Sequence, residues 1–226
     1  MIVSDTASTG SPGQPGREPS ATEIGGRLAA HRARRGVKVT ALARAAGVSP
    51  SLISQIERGQ TRPSVSTLFT LAEALDVPVD AFFRDRRDPR PPEPVAAGPA
   101  PDRGHRHLVR RHERATIDIE GGVRWERLTP ARLDDAEFLE LAYAPGAESN
   151  PDPYRHPGTE MVLVLSGRLE IFVGADRHAL EPGDSICFPS TTPHRYLNPT
   201  GQTTRAVTLI LPDGGTGGPP PTDRRT

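Results

Sequence analysis

The sequence predicts two folded domains of different class, an all-α domain followed by an all-β sandwich or barrel. Apolar residues recur with a helical period from about residue 21 to 83. From about residue 105 to 211 they form runs of five or six residues, separated by Gly, Pro and Asp. Segments 1–20, 84–104 and 212–226 are rich in Pro, Gly, Ser or Thr, which predicts two disordered tails and an extended, Pro-rich linker.

Size and composition exclude several classes of protein. A chain of 226 residues is long enough for one to two domains, and its net charge of zero gives no overall attraction to nucleic acid or membrane. The single cysteine, Cys187, excludes an intramolecular disulfide framework and a Cys-based zinc site, and we expect it to be a small core residue. Because no apolar run approaches about 20 residues and residues 1–20 lack a signal pattern, a cytoplasmic protein with no membrane partner is expected.

Five helices are predicted in the N-terminal domain. The first places Ile24 and Leu28 on one face and ends at Arg34-Arg35-Gly36. A short second helix ends at Gly47. The third begins at Ser49, whose hydroxyl can cap it, with Pro50 in the first turn. The fourth covers about 64–75 and buries an apolar stripe, and a short fifth helix covers 79–83.

The segment from Leu42 to Gly59 carries a helix-turn-helix pattern. Gly47 supplies the tight turn, and Val48 and Ile53 hold the second helix against the first. With its run A-G-V-S-x-S-x-I-S-x-I-E-R-G, this region resembles the xenobiotic-response-element (XRE) family of regulators, and the resemblance extends from Ile24 to Phe83. It implies a five-helix, lambda-repressor-like domain whose third helix enters the DNA major groove.

The XRE resemblance assigns the DNA contacts residue by residue. By match to the family's motif, the groove-facing positions are Pro50, Ser51, Ser54 and Gln55, and Gln55 is the strongest base reader since its amide can pair with adenine through two hydrogen bonds. Glu57 is expected to hold the fold rather than touch DNA. Phosphate contacts are expected from four basic side chains, Lys38, Arg44, Arg58 and Arg62.

The charge of the N-terminal domain agrees with DNA as its partner. Residues 20–83 contain eight basic and five acidic residues, a net charge of +3. This excess is modest for a DNA reader. Two copies on a palindromic operator would double the phosphate contacts, so a homodimer on double-stranded DNA is expected.

The run from Gly183 to Asn198 predicts two short strands joined by a turn that contains Pro189. It matches the second cupin motif, G-x5-P-x-G-x2-H-x3-N, at four of five fixed positions, with Thr191 in place of the inner Gly. The C-terminal domain therefore resembles the cupin family. The resemblance implies a double-stranded β-helix, or jelly-roll barrel, with His194 facing a metal or a small molecule inside it.

The first cupin motif can be placed on residues 146–167. His156, the three-residue spacing to Glu160 and the six-residue spacing to Gly167 match, whereas Tyr154 stands where the first His belongs and two extra residues follow Gly146. Because side chains alternate along a strand, Glu160, Val162 and Val164 should share the inward face.

Two interpretations of the cupin site remain open. A buried Glu is costly unless it is paired or coordinated, and two His with one carboxylate form the facial ligand set of Fe(II)-type metals. The first interpretation is thus a divalent metal held by His156, Glu160 and His194. In the second, the same residues with Tyr154 and Tyr196 bind an organic effector directly. A satisfied polar core is a third, less informative alternative.

The two resemblances together imply a sequence-specific, DNA-binding transcription regulator, and a repressor more than an activator. Its cupin domain would sense a small-molecule effector, and no catalytic residue is predicted. The alternative is a cupin metalloenzyme, a dioxygenase or isomerase, that carries a DNA-binding domain; Tyr154 weakens this alternative because it removes one expected ligand. A further alternative is a constitutive repressor that uses the barrel only to dimerise.

Overall fold

A computed structural model describes residues 21–83 and 107–212, with the side chains from Glu23 onward. The predicted N-terminal tail and the predicted linker therefore lie entirely outside the described residues, as does the predicted C-terminal tail apart from Pro212. The described chain divides into helices and then strands, as the change of period predicts.

The N-terminal domain has four α-helices, not five. Their bounds are α1 Ala21–Arg34, α2 Val39–Ala45, α3 Pro50–Glu57 and α4 Val65–Ala74. The predicted fifth helix is wrong as an α-helix, because Val79–Phe82 forms a single 3₁₀ turn and Phe83 is already extended. Pro78 precedes this turn, and four residues between Pro78 and an extended residue leave no room for a second α-helical turn.

Hydroxyl caps fix the starts of α3 and α4. Ser49 Oγ accepts a hydrogen bond from the Leu52 N–H at 3.1 Å, as its position before Pro50 predicts, and Ser64 Oγ accepts one from the Thr67 N–H at 3.2 Å. Gly47, between α2 and α3, has φ of +68°, a conformation that costs glycine little. These caps and the turn set the angle at which α3 leaves α2.

Close packing of α1 on α3 completes the helical domain. Gly25 permits the approach, because a Cβ atom there would lie 2.0 Å from the Ile56 carbonyl oxygen. Arg32 then ties the two helices with a bidentate pair, its Nε 2.6 Å and Nη2 2.9 Å from the Glu57 carboxylate oxygens. The expectation that Glu57 holds the fold agrees with this pair.

The C-terminal domain is a two-sheet antiparallel barrel. Its strands are β1 Thr116–Ile119, β2 Val123–Arg127, β3 Glu137–Tyr143, β4 Thr159–Ser166, β5 Leu169–Val173, β6 Asp176–Leu180, β7 Ser185–Pro189, β8 His194–Leu197 and β9 Thr204–Leu211. One sheet has the order β1-β2-β3-β9-β4-β7 and the other β6-β5-β8. The predicted strand–turn–strand of the second motif is β7 and β8, which belong to opposite sheets, so the Pro189 turn crosses from one sheet to the other.

The barrel core lies between the two sheets. Along β4 the burial alternates, with Glu160, Val162 and Val164 buried, as predicted from strand periodicity. On β7 the inward residue is Phe188, whereas Cys187 points outward and is exposed. The prediction of Cys187 as a core residue is wrong because its neighbour occupies the inward position.

The replaced Gly and the final Asn of the second motif both have structural explanations. Among the described residues other than glycine only Asp76 has positive φ, so the turn at Thr191 does not need the missing Gly. Asn198 is a structural residue rather than a ligand, since its Nδ2 donates to the carbonyl oxygens of Tyr143, Ala144 and Gln202. The second motif therefore keeps its structural role although Thr191 replaces its inner Gly.

The helical domain docks on the barrel through polar contacts. Arg127 Nη1 lies 3.1 Å from Asp80 Oδ1, and each side chain is only 5% exposed. The Val79 N–H donates to Glu137 Oε1 at 3.1 Å. Two further hydrogen bonds, Ser66 Oγ to Asn150 Oδ1 and the Glu120 N–H to the Pro63 carbonyl oxygen, are each 3.0 Å long.

Candidate functional site

The exposed face of α3 carries most of the predicted base-reading residues. Pro50, Ser51 and Gln55 are exposed, and Ser54 is half-buried. Ile53 and Ile56 on the opposite face are fully buried and fix how α3 sits on the domain. A short helix held on one side and open on the other has the arrangement that a recognition helix needs.

The predicted phosphate-binding residues are also accessible. Lys38, Arg44 and Arg58 are exposed, and Arg62 is half-buried. Lys38 occupies the N-cap of α2 without a side-chain cap bond, so its ammonium group is not engaged in capping. Arg58 follows α3 and its Nε donates to Gln60 Oε1 at 3.1 Å.

Inside the barrel, three predicted ligands come together from three elements. His156 precedes β4, Glu160 lies on β4, and His194 begins β8 in the opposite sheet. All three are buried, and one candidate ligand atom from each lies within 4.8 Å of the others. We call these three residues the inward cluster.

Hydrogen bonds to residues outside the inward cluster determine which of its atoms are available to a ligand. Nδ1 of His156 lies 3.1 Å from the Pro157 carbonyl oxygen, and Nδ1 of His194 lies 2.8 Å from that of Thr192. Because a carbonyl oxygen only accepts, both Nδ1 atoms carry a proton, and in the neutral form of each ring the Nε2 lone pair is the one that can bind a ligand. Glu160 Oε1 accepts from Thr208 Oγ1 at 2.9 Å, which leaves Oε2.

The three remaining atoms fit a shared ligand. In the described part of the chain, Nε2 of both histidines and Oε2 of Glu160 are buried without a hydrogen-bond partner. Oε2 lies 3.4 Å from Nε2 of His156 and 3.6 Å from Nε2 of His194. Two atoms about 2.1 Å from one metal ion are separated by roughly 3.0–3.5 Å at ordinary coordination angles, so one of these distances lies within that range and the other slightly above it, and the donor set is one that a divalent cation accepts.

Electrostatics favour a charged Glu160 next to a neutral His194 imidazole. Burial raises the pKa of Glu160, but its interactions with His156 and His194 outweigh burial and bring that pKa below its ordinary value. Burial also lowers the pKa of His194, with Glu160 acting in the opposite direction. A carboxylate with unprotonated Nε2 atoms is the state in which these groups bind a cation.

Aromatic side chains surround the inward cluster. Tyr154, in the position of the missing first His, lies 4.6 Å from the His194 ring, centroid to centroid. Tyr196 is buried beside Glu160, and burial, reinforced by that carboxylate, raises the pKa of its hydroxyl well above the ordinary value. The hydroxyls of Tyr143 and Tyr196 and the indole N–H of Trp125 have no hydrogen-bond partner among the described residues. These groups could orient a polar ligand.

One residue of the site comes from the helical domain and was not predicted. Phe69 on α4 stacks on the His156 ring at 4.0 Å between centroids and 4° between planes. It also lies 5.8 Å from Tyr154 and 5.9 Å from Trp125. The sequence contains one signal for it, since a large apolar residue off the buried stripe of α4 needs a partner outside its own domain.

Comparison with known proteins supports both domains. The helix-turn-helix domain family matches residues 23–82, and the cupin domain family matches residues 139–210. The HTH-type transcriptional regulator SutR of Escherichia coli K12 is 28% identical over 179 residues, which cover 79% of this chain and 89% of SutR. The chain is a helix-turn-helix transcriptional regulator with a cupin domain.

Two further similarities extend over most of the regulator. The HTH-type transcriptional regulator PuuR of Escherichia coli K12 is 22% identical over 189 residues, 83% of this chain and 94% of PuuR. The crystal structure of an HTH_3 family transcriptional regulator from Vibrio cholerae aligns with a TM-score of 0.59 and 24% identity, and covers 84% of this chain and 96% of that one. The structural similarity supports the fold alone. Within the described ranges, no helix of the regulator is long and apolar enough to span a bilayer.

Proposed function

We propose that the regulator binds a palindromic operator as a homodimer and represses transcription, and that a small-molecule effector bound inside the barrel changes its affinity for DNA. The observation that carries this proposal is the combination of an open recognition face on α3 with a buried cluster of unsatisfied polar atoms in the barrel. A purely structural barrel gains nothing from such a cluster, because each unsatisfied buried group costs about 1–3 kcal/mol.

The proposed division of labour on DNA follows from exposure and chemistry. Ser51 and Gln55 present their side chains on the open face of α3, where Gln55 can read adenine through two hydrogen bonds. Lys38, Arg44 and Arg58 supply charge for phosphates around that face. Pro50 and Ser54 shape the surface rather than read bases.

Selection of binding sites from random duplex DNA tests the DNA-binding part of the proposal. A palindromic consensus is expected, with two copies of the chain per site by sedimentation. Gln55→Ala should lower affinity for the selected site by about 1–3 kcal/mol, and leave affinity for random DNA unchanged. Gln202→Ala, which alters an exposed glutamine of the barrel, is the matched control. An equal loss on selected and random DNA would contradict the role of Gln55.

For the barrel we propose a divalent metal held by His156, Glu160 and His194, with Tyr154 and Tyr196 lining the effector site around it. A bound metal would supply a Lewis-acidic position for an oxygen or nitrogen atom of the effector. The protein's own residues orient the imidazoles, exclude water and place hydroxyl groups nearby. Metal analysis of the purified regulator and a metabolite screen for changes in operator affinity test this part.

The inward cluster also supports a second candidate, a cupin metalloenzyme with a DNA-binding domain. Two His and one carboxylate with free ligand atoms are a possible centre for Fe(II) chemistry. The regulator is favoured because the relatives are transcriptional regulators and because Phe69 of the helical domain covers one ligand of the cluster. Turnover by the Fe(II)-loaded protein, increased by Tyr154→His, would favour the enzyme.

A further inference from the structure

The side chains of the inward cluster are closed off from solvent while the helical domain is docked. The exposed fraction is 6% for His156, 3% for Glu160 and 0% for His194, and the tyrosines beside them are equally buried. A ligand of any size therefore needs a movement of the protein before it reaches these atoms. The question is which element moves.

Phe69 is the residue whose position and exposure fit such a movement. Its ring lies flat on His156, nearly parallel to Tyr154 and tilted against Trp125, so it fills the space beside all three. Unlike them it is only half-buried, and it belongs to α4 rather than to the barrel. The neighbouring apolar residues of α4, Leu68 and Leu71, are buried within the helical domain, so Phe69 can leave the barrel without disturbing that core.

We propose that Phe69 is a lid on the effector site, and that effector binding and docking of the helical domain exclude one another. The stack on His156, at 4.0 Å, leaves no layer for a ligand between the rings, so an effector that contacts His156 from this side must displace Phe69. Displacement moves α4 away from the barrel and frees the orientation of the recognition helix. This inference rests on the proposed effector site and assigns its regulation.

The docking contacts make the coupling reciprocal. Asp80 pairs with Arg127, and Ser66 contacts Asn150, on the same side of the helical domain that carries Phe69. Any change that weakens these contacts should therefore open the lid, and any ligand that opens the lid should weaken the contacts, because linkage between two equilibria acts in both directions.

The single tryptophan of the chain makes the lid directly observable. Trp125 is 3% exposed and its ring lies 5.9 Å from that of Phe69, so its emission and its quenching by acrylamide report on the lid. Phe69→Ala should raise the quenching constant of Trp125 by about 2- to 10-fold, whereas Phe69→Tyr, which keeps the ring, should restore the value of the unmodified protein. Glu73→Ala, one turn later on α4 at an exposed position, is the control that keeps the lid in place.

Chemical modification gives a second readout that needs neither metal nor DNA. Diethyl pyrocarbonate, followed by peptide mass spectrometry, should modify His156 faster in Phe69→Ala, while exposed His178 reacts at the same rate in both proteins. If Phe69→Ala fails to fold, as circular dichroism would show, Phe69→Leu replaces it. Equal protection of Trp125 and His156 with and without the ring would refute the lid.

The coupling has its own test in Asp80→Asn, which weakens docking without touching the effector site. This variant should also raise the quenching of Trp125; an unchanged value would refute the link between docking and access. Because none of these measurements uses an operator, they separate the two proposals. A chain with a working lid that selects no DNA site would contradict the proposed function, and the reverse result would contradict the lid alone.

Discussion

Glu137 should make the docked state sensitive to pH near neutrality. Its Oε1 accepts the Val79 N–H of the helical domain, and its Oε2 is buried without a hydrogen-bond partner among the described residues. Burial, followed by the nearby Asp80 carboxylate, raises the pKa of Glu137 to about 7, against the opposing effects of His156 and the backbone N–H groups of Asp80 and Val79. The protonated carboxyl is therefore the form that the docked structure prefers.

The direction and the size of the pH effect on the free energy of unfolding follow from the difference between the folded and unfolded pKa of Glu137. A pKa raised from 4.5 to about 7 means that stability is full below pH 4.5 and is lost as the pH rises through 7. The complete loss is about 3 kcal/mol, and about 2 kcal/mol of it falls between pH 5.5 and 8. His194 acts in the opposite direction, since burial lowers its pKa and its contribution is lost as the pH falls. The pH dependence of the unmodified protein must therefore be compared with that of a variant that lacks the Glu137 carboxyl.

Glu137→Gln isolates this effect because glutamine is a neutral mimic of the protonated carboxyl. Urea unfolding, followed by Trp125 fluorescence at pH 5.5 and at pH 8, should show that the variant loses about 2 kcal/mol less over this interval than the unmodified protein. Glu181→Gln, which neutralises an exposed carboxylate of the barrel, should keep the unmodified pH dependence. Identical pH dependence in Glu137→Gln and the unmodified protein would show that this carboxyl keeps its ordinary pKa.

Two further predictions concern packing and metal binding. Gly25→Ala should destabilise the helical domain by several kcal/mol in thermal unfolding, because its Cβ would lie 2.0 Å from the Ile56 carbonyl oxygen. Gly26→Ala has open space around its Cβ and should be neutral or stabilising by up to about 1 kcal/mol. Equal effects of the two substitutions would contradict the packing argument. His194→Ala should abolish stoichiometric uptake of Zn²⁺ measured by calorimetry, with the exposed His178→Ala as control, and undiminished uptake would place the metal elsewhere.

The resemblance to the cupin motifs, together with strand periodicity, was sufficient to predict which three residues form the inward cluster. Glu160 shares the parity of Val162 and Val164 on one strand, and the two cupin motifs place His156 and His194 at the ends of strands that face each other. The sequence pattern was insufficient to predict the type of helix at the end of the helical domain, because a 3₁₀ turn and a turn of α-helix there would have the same sequence. Side chains alternate along a strand, so the inward position of the apolar neighbour Phe188 assigns Cys187 to the outer face.

Residues at the contact between the domains could not be predicted from the sequence. Phe69 and Glu137 belong to elements whose periodicity is explained within their own domains, and each gains its role only when the other domain is in place. No spacing rule connects residues on two different domains. A large apolar residue off the buried stripe, or a carboxyl at the start of a strand, indicates only that a partner is needed.

The buried pair of Arg127 and Asp80 suggests why docking would be easy to reverse. Removing both charges from water costs about as much as their attraction returns, so such a pair fixes the orientation of the domains and contributes little net free energy. On separation both charges regain water together, and neither is left buried alone. Besides this pair, hydrogen bonds, the Phe69 ring and a continuous set of buried apolar residues join the two domains, and effectors commonly supply about 1–3 kcal/mol of coupling. Under the lid proposal, an effector moves the recognition helix only if it binds the undocked form more tightly than the docked form by more than the free energy of docking.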